Sequence, residues 1–318
     1  MCGYCRYMRC LSLGMSSTNI KTGRYSHEKR AQDVYEVSQL RCQSFDALHI
    51  PEAEVAEVVQ LLTEGQLHMR SNETVSEDVI REKVRKKHEE FTLLQNLIGP
   101  HRPLTVEEYN EVYRRTGLDV DGRKQKVERW MRNIETYVVG FVKFCKSIPG
   151  FSDLSILDQT KLLKLSRVEV WFLGGYKGFD ADLKTVHVPN GNCLHYFELS
   201  QFLGQEYVEC SFQVATRLKS LGLTPQEAVV IKAMCVMSAD RCCLDDPRKV
   251  EEGQWELVKC LLRLIARNER REPGLFSRVV SSLVALRNLS DLASKHLNNT
   301  LVADAAKNHP MMLELLLG

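Results

Sequence analysis

From residue 51 onward, apolar positions recur every three or four residues, the period of helices that bury one stripe. The clearest run is Val127, Trp130, Met131, Ile134, Tyr137, Val138, Phe141, Val142 and Cys145, with Arg129, Arg132, Lys143 and Lys146 off the stripe. Pro149 cannot continue the hydrogen-bonded ladder, so this helix is expected to break at Ile148-Pro149-Gly150. A new helix restarts almost at once, through Asp158-Gln159 to Leu162-Leu163-Lys164. Residues 52–69 repeat the pattern with Val55, Val58, Val59, Leu61 and Leu62, and residues 73–97 predict a charged helix with an apolar edge.

Start signals agree with this period. Thr105-Val106-Glu107-Glu108 reads as a capping box flanked by Leu104 and Tyr109 as a hydrophobic staple. Thr224-Pro225-Gln226-Glu227 adds proline at the first helical position. One strand signal stands out, residues 184–188, running into Pro189-Asn190-Gly191, a hairpin turn. The pattern predicts an all-α body with one small β-hairpin.

Composition excludes several classes. The net charge of +2 gives no global field toward nucleic acid. The eleven cysteines are scattered, mostly inside apolar helical stretches, and no secretory leader precedes them, which reads as reduced thiols in an intracellular protein. No apolar run approaches the ~20 residues of a membrane span. No catalytic order of Ser, His and Asp and no glycine-rich phosphate loop is present, and Asp245-Asp246 and Glu251-Glu252 read as solvated charges at helix starts. The protein is expected not to be an enzyme.

Two segments carry a family resemblance. Residues 141–164, FVKFCKSIPGFSDLSILDQTKLLK, resemble the central helices of nuclear hormone receptor ligand-binding domains. Pro310-Met311-Met312-Leu313-Glu314-Leu315-Leu316 resembles the same family's C-terminal activation helix. The resemblance covers residues 51–318 and implies a three-layer antiparallel α-helical sandwich of eleven or twelve helices. It further implies regulation of transcription in the nucleus, through coregulators of Leu-x-x-Leu-Leu type and through a heterodimer with a retinoid X receptor-type partner.

The resemblance assigns residues. A short amphipathic helix leaves amide donors free at one end and carbonyls at the other, so a groove with a carboxylate on one rim and a cation on the other fixes its polarity. Lys146, Lys164 and Glu314 match the family's clamp, and Gln159 is placed on the same rim. Trp130, Asn133, Ile134, Tyr137 and Val138, with Phe172 on the next helix, read equally as plain core and as the lining of a cavity for a small apolar ligand, Asn133 and Tyr137 being its polar anchors. Lys177 is a further anchor candidate; the family's pocket histidine falls at Ala293, with His296 displaced by about a turn. Glu169 and Arg241 match a salt bridge of heterodimerising members, and Val279, Leu283, Leu286 and Leu289 with Arg287 form a stripe suited either to an interface or to the core.

The N-terminus is distinct. Cys2 and Cys5 supply two of the four ligands that structural zinc requires, and nothing before them could form the strand of a thioredoxin-type redox pair. By resemblance, Cys2, Cys5, Cys10 and Gly14-Met15 match the end of the family's second zinc module, on the thyroid-hormone-receptor-like branch; the first module and its base-reading helix are absent. Residues 1–30 are therefore expected to be a remnant of the zinc-bearing, DNA-binding domain, with basic Gly23-Arg24 giving weak, salt-sensitive DNA contact, and residues 31–50 a hinge. The competing expectation is a truncated receptor that does not bind DNA and sequesters dimer partners or coregulators.

Overall fold

In a computed structural model the described residues are 50–69, 75–99, 104–189, 191–267 and 274–297, together with Met8, His309 and Glu314. The chain divides into two units, Met1–His49 and Ile50–Gly318. Among the described residues of the second lie ten α-helices and three short strands. The helices are α1 (Glu52–Gln66), α2 (Glu77–Ile98), α3 (Val106–Thr116), α4 (Arg123–Lys146), α5 (Ile156–Gly175), α6 (Tyr196–Leu203), α7 (Gln205–Ser220), α8 (Pro225–Val236), α9 (Pro247–Ala266) and α10 (Leu275–Leu297). The strands are β1 (Phe179–Asp180), β2 (Thr185–His187) and β3 (Cys193–His195).

The helices stack in three layers. One outer layer pairs α1 with α4; the other pairs α7 with α10; α5, α8 and α9 lie between them. The central α8 packs against α1, α5 and α9 at once. Its sequence explains this: Glu227 to Val236 is apolar on every side apart from Glu227 and Lys232, and every residue is buried. Lys232 donates from Nζ to Gln66 Oε1 of α1 at 3.1 Å. Both capping boxes form, at Thr105 and at Thr224, each with the threonine oxygen accepting the N3 N–H and the N3 glutamate accepting the N-cap N–H. Thr224→Ala is expected to cost about 1 kcal/mol, read as a fall of about 2–4 °C in Tm by calorimetry.

α1 crosses α4 at glycines. A Cβ at Gly140 would meet the His68 carbonyl oxygen at 2.3 Å, and one at Gly65 would meet Ser147 Oγ at 2.0 Å. At Gly140 the backbones approach closer than a side chain permits, and at Gly65 the space is taken by the Ser147 side chain.

The expected hairpin is one pair of a three-stranded antiparallel sheet in the order β1-β2-β3. In it Val186 pairs with Phe179 on one side and Leu194 on the other. The two-residue β1 is too short to carry a period, so alternation could not reveal it. α2 lies over β2 and β3. Its inner face buries Ile80 and Val84, stacks Phe91 on the His195 ring at 3.6 Å, and pairs Lys87 with Glu198 at 3.0 Å. His88 Nδ1 lies 3.0 Å from the Leu183 carbonyl. Burial, with His88 adding to it, holds His195 down at about 4, so its Nδ1 is free to accept the Phe197 N–H.

Candidate functional site: the α4–α5 junction and the helix α4

α4 ends where its sequence stops being able to continue. Ser147 returns its N–H to the carbonyls of Lys143 and Phe144, and its hydroxyl donates to the Phe144 carbonyl at 2.7 Å. Phe144 and Cys145 are fully buried, which leaves Lys146 on the outside of the last turn. The break comes three residues before Pro149, as the proline requires. A 3₁₀ turn, Phe151–Asp153, leads to Ser155, whose hydroxyl accepts the Asp158 N–H and starts α5.

Asp158 and Gln159 lock this junction. The Asp158 side chain is wholly buried, and its carboxylate accepts the N–H of Asp245 at 2.9 and 3.1 Å and that of Asp246 at 3.1 Å. Burial acts to raise this carboxyl, but the two backbone N–H groups and Lys161 outweigh it and hold the pKa below 3.8. Lys161 also donates to the Cys243 carbonyl at 2.7 Å. Gln159 donates from Nε2 to the carbonyls of Leu154 at 2.9 Å and Ser152 at 3.4 Å. Its amide is therefore committed to the loop between the helices. Sequence reasoning named Asp158 only as part of a motif; its structural partner lies almost ninety residues downstream, which no local pattern signals.

Lys146 is exposed and Lys164 half-buried, and among the described residues neither side chain makes a hydrogen bond or ion pair. Glu314 is exposed, helical and likewise unpartnered. Another contact is unforeseen in sequence: His309 Nδ1 lies 2.9 Å from Glu135 Oε1 on α4.

The apolar stripe is divided. Val138 (7%) and Phe172 (0%) lie in the main core, with Trp130 and Tyr137 half-buried against it. Tyr137 stacks parallel to Phe141 at 6.0 Å, and its hydroxyl is buried without a partner among the described residues. Burial, with Cys145 nearby, pushes that hydroxyl well above its ordinary pKa, so it is a neutral donor. The side chains of Asn133, Ile134 and His296 lie outside the described residues; Ala293 is buried and Lys177 half-buried. An open cleft of about 410 Å³ lies on the outer face of α4, lined by His68, Glu135, Thr136, Val139, Gly140 and Lys143.

Glu169 is buried in the middle of α5. The Arg241 side chain lies outside the described residues, and Arg241 ends a 3₁₀ turn, Ala239–Arg241. Its neighbour Asp240 pairs with Arg287 of α10, Nη2 to Oδ1 at 3.0 Å. The α10 stripe goes to the core: Val279, Leu286 and Leu289 are buried because α10 packs on α5 and α7, while Val280 and Val284 face outward. Cys2, Cys5 and Cys10 lie outside the described residues, as do residues 310–313. No helix among the described residues is long and apolar enough to cross a membrane.

Comparison with known proteins agrees with this geometry. Residues 123–299 match the model for the ligand-binding domain of nuclear hormone receptor. Nuclear receptor subfamily 1 group D member 2 of Rattus norvegicus is 31% identical over 56% of this chain and 31% of its own length. Nuclear hormone receptor E75 of Metapenaeus ensis is 25% identical over 93% of the chain and 47% of its own length. Retinoic acid receptor alpha-B of Danio rerio is 23% identical over 99% and 60%. The chain thus spans less than two thirds of each of these relatives.

Proposed function

The chain belongs to the nuclear hormone receptor family, and we propose that it regulates transcription in the nucleus by recruiting coregulators to a groove between α4 and α5, completed by the segment around Glu314. The contact between His309 and Glu135 carries this reading. Glu135 lies on α4 at a distance of about 16 Å from Lys146, at 1.5 Å per residue. From His309 the chain can carry Glu314 at most about 17 Å. Glu314 therefore lies within about 33 Å of Lys146, a bound that admits the span of a helix of two to three turns. Such a helix presents free N–H groups to Glu314 and free carbonyls to Lys146 and Lys164, whose charges nothing else within the described residues neutralises.

Lys146→Ala and Glu314→Ala are each expected to weaken a Leu-x-x-Leu-Leu peptide by about 1.5–3 kcal/mol, with Tm unchanged because neither side chain has a partner to lose among the described residues. Fluorescence anisotropy of a labelled peptide checks it; full affinity in the double variant would remove the groove from this reading.

We further propose a small, mostly apolar ligand held beside α4. What favours it is the Tyr137 hydroxyl, a neutral buried donor with no acceptor among the described residues. Native mass spectrometry of the wild type and Tyr137→Phe tests this through retained mass. The Glu169–Arg241 bridge and a retinoid X receptor-type partner remain part of the same proposal, tested by co-sedimentation with that receptor's ligand-binding domain.

A further inference from the structure

The apolar surface of α2 extends beyond the part that covers the sheet. At 100° per residue, Ile80, Val84, His88 and Phe91 fall on the face that covers the sheet. Across the helix, the rest of the outer surface is charged and paired with itself, Arg85 with Glu82 and Glu89, Lys86 with Glu82. The last two turns break that rule. Leu93 is 62% exposed, Leu94 48%, Leu97 74% and Ile98 61%, one stripe about 140° wide that runs from the charged side round to the azimuth of Ile80. Isolated exposed leucines need no explanation, but four on adjacent turns of a helix otherwise laced with ion pairs mark a contact surface.

The end of this helix is also electrostatically open. Its last turn holds no basic residue. Gly99, at φ 79° and ψ 171°, returns no N–H to it among the described residues. Among the described residues the final carbonyls, the negative end of the dipole, therefore have neither a cap nor a cation. The sequence here is Leu94-Gln95-Asn96-Leu97-Ile98, a Leu-x-x-Leu-Ile helix with free carbonyls. The same chain carries two unpartnered lysines, Lys146 and Lys164, at the rim of the groove proposed above.

We propose that the C-terminal end of α2 docks in the Lys146–Lys164 groove of a second copy of this chain, Leu93, Leu94, Leu97 and Ile98 filling it and the two lysines capping the last carbonyls. The inference rests on the groove reading. It differs from coregulator binding in one respect: α2 continues N-terminally for four more turns, so Glu314 has no free helix start to cap. Self-association therefore depends on the lysines and not on Glu314. The contact joins unlike surfaces, so it closes as a mutual pair or grows with concentration.

The test is sedimentation velocity of the full chain across a concentration series, beside anisotropy with a Leu-x-x-Leu-Leu peptide. Concentration-dependent association is expected, weakened at least tenfold by Leu97→Asp and by Lys146→Glu/Lys164→Glu, unaffected by Glu314→Ala, and inhibited by the peptide. Mixing the Leu97→Asp protein with the lysine variant restores one contact and a 1:1 complex. Leu94→Lys/Ile98→Lys repeats the experiment should Leu97→Asp misfold. A monomer at every concentration, or association that Leu97→Asp leaves intact, overturns the inference while peptide binding keeps the groove. Loss of both peptide binding and self-association in the wild type overturns both. A lowered Tm in the two exposed-leucine variants also overturns the inference, because the stripe would then be covered by its own chain.

Discussion

Asp158→Ala is expected to cost about 3–4 kcal/mol, since two backbone N–H groups lose a charged acceptor and each such bond is worth about 1.5–3 kcal/mol net. The affected groups are the N–H of Asp245 and Asp246, which enter α9. α5 and α9 belong to the central layer, so the loss should appear in the global unfolding transition. Asp158→Asn keeps one carbonyl acceptor and should recover about half. The pH dependence has a definite sign. The folded carboxyl titrates below 3.8, its ordinary value, so it binds fewer protons folded than unfolded there. Its contribution is fully present above about pH 4–5 and is lost as pH falls through the folded value. Denaturant melts of wild type and Asp158→Asn at pH 7 and pH 3 measure it: the gap should narrow at the lower pH. A gap that is constant or widens would mean that the carboxylate form is not what stabilises the junction. Peptide affinity should fall with Asp158→Ala too, because this junction fixes the loop between Lys146 and α5.

The helices were legible because their evidence is local. α4 and α5 announce themselves by period and proline, α3 and α8 by their capping boxes, and the structure differs at the ends, where α1 stops at Gln66 rather than Met69 and α2 begins at Glu77. What local sequence does not carry is pairing. Gln159 has the same chemistry whether it faces a coregulator or its own loop; only the fold turns its amide to Leu154 and Ser152. The stripe Val279, Leu283, Leu286, Leu289 suits an interface and a core equally; packing on α5 and α7 buries Val279, Leu286 and Leu289 and leaves Leu283 half-buried. The clamp residues themselves became visible through resemblance, since an exposed lysine has no period or cap of its own. β1 and the contact of His309 with Glu135 are products of the tertiary arrangement alone.

Arg123→Ala should have the other large effect, and a local one. Arg123 begins α4 and is 1% exposed, unusual for a guanidinium. Its Nη2 donates to the Leu104 carbonyl at 2.8 Å and to Asp121 Oδ2 at 2.9 Å, and its Nη1 reaches the Thr105 carbonyl at 3.4 Å. The guanidinium lies 4.6 Å from the centre of the Tyr109 ring, whose hydroxyl donates to Asp119 at 2.6 Å. Asp119 in turn accepts the N–H groups of Lys124 and Gln125. Arg123 is thus the pin between α3 and the first turn of α4, and its fork geometry and flat face are both in use. Removing it strands Asp121 and two carbonyls, a loss of about 3–5 kcal/mol on the scale of broken buried pairs. Arg123→Lys should recover little, since an ammonium is a point charge that cannot span three acceptors and stack at once. α3 touches no other element extensively among the described residues, so the body should outlast it. Hydrogen exchange is expected to show residues 104–122 opening well before α5 and α8. Equal loss of protection in α3 and α8 would instead make the clasp part of the global fold.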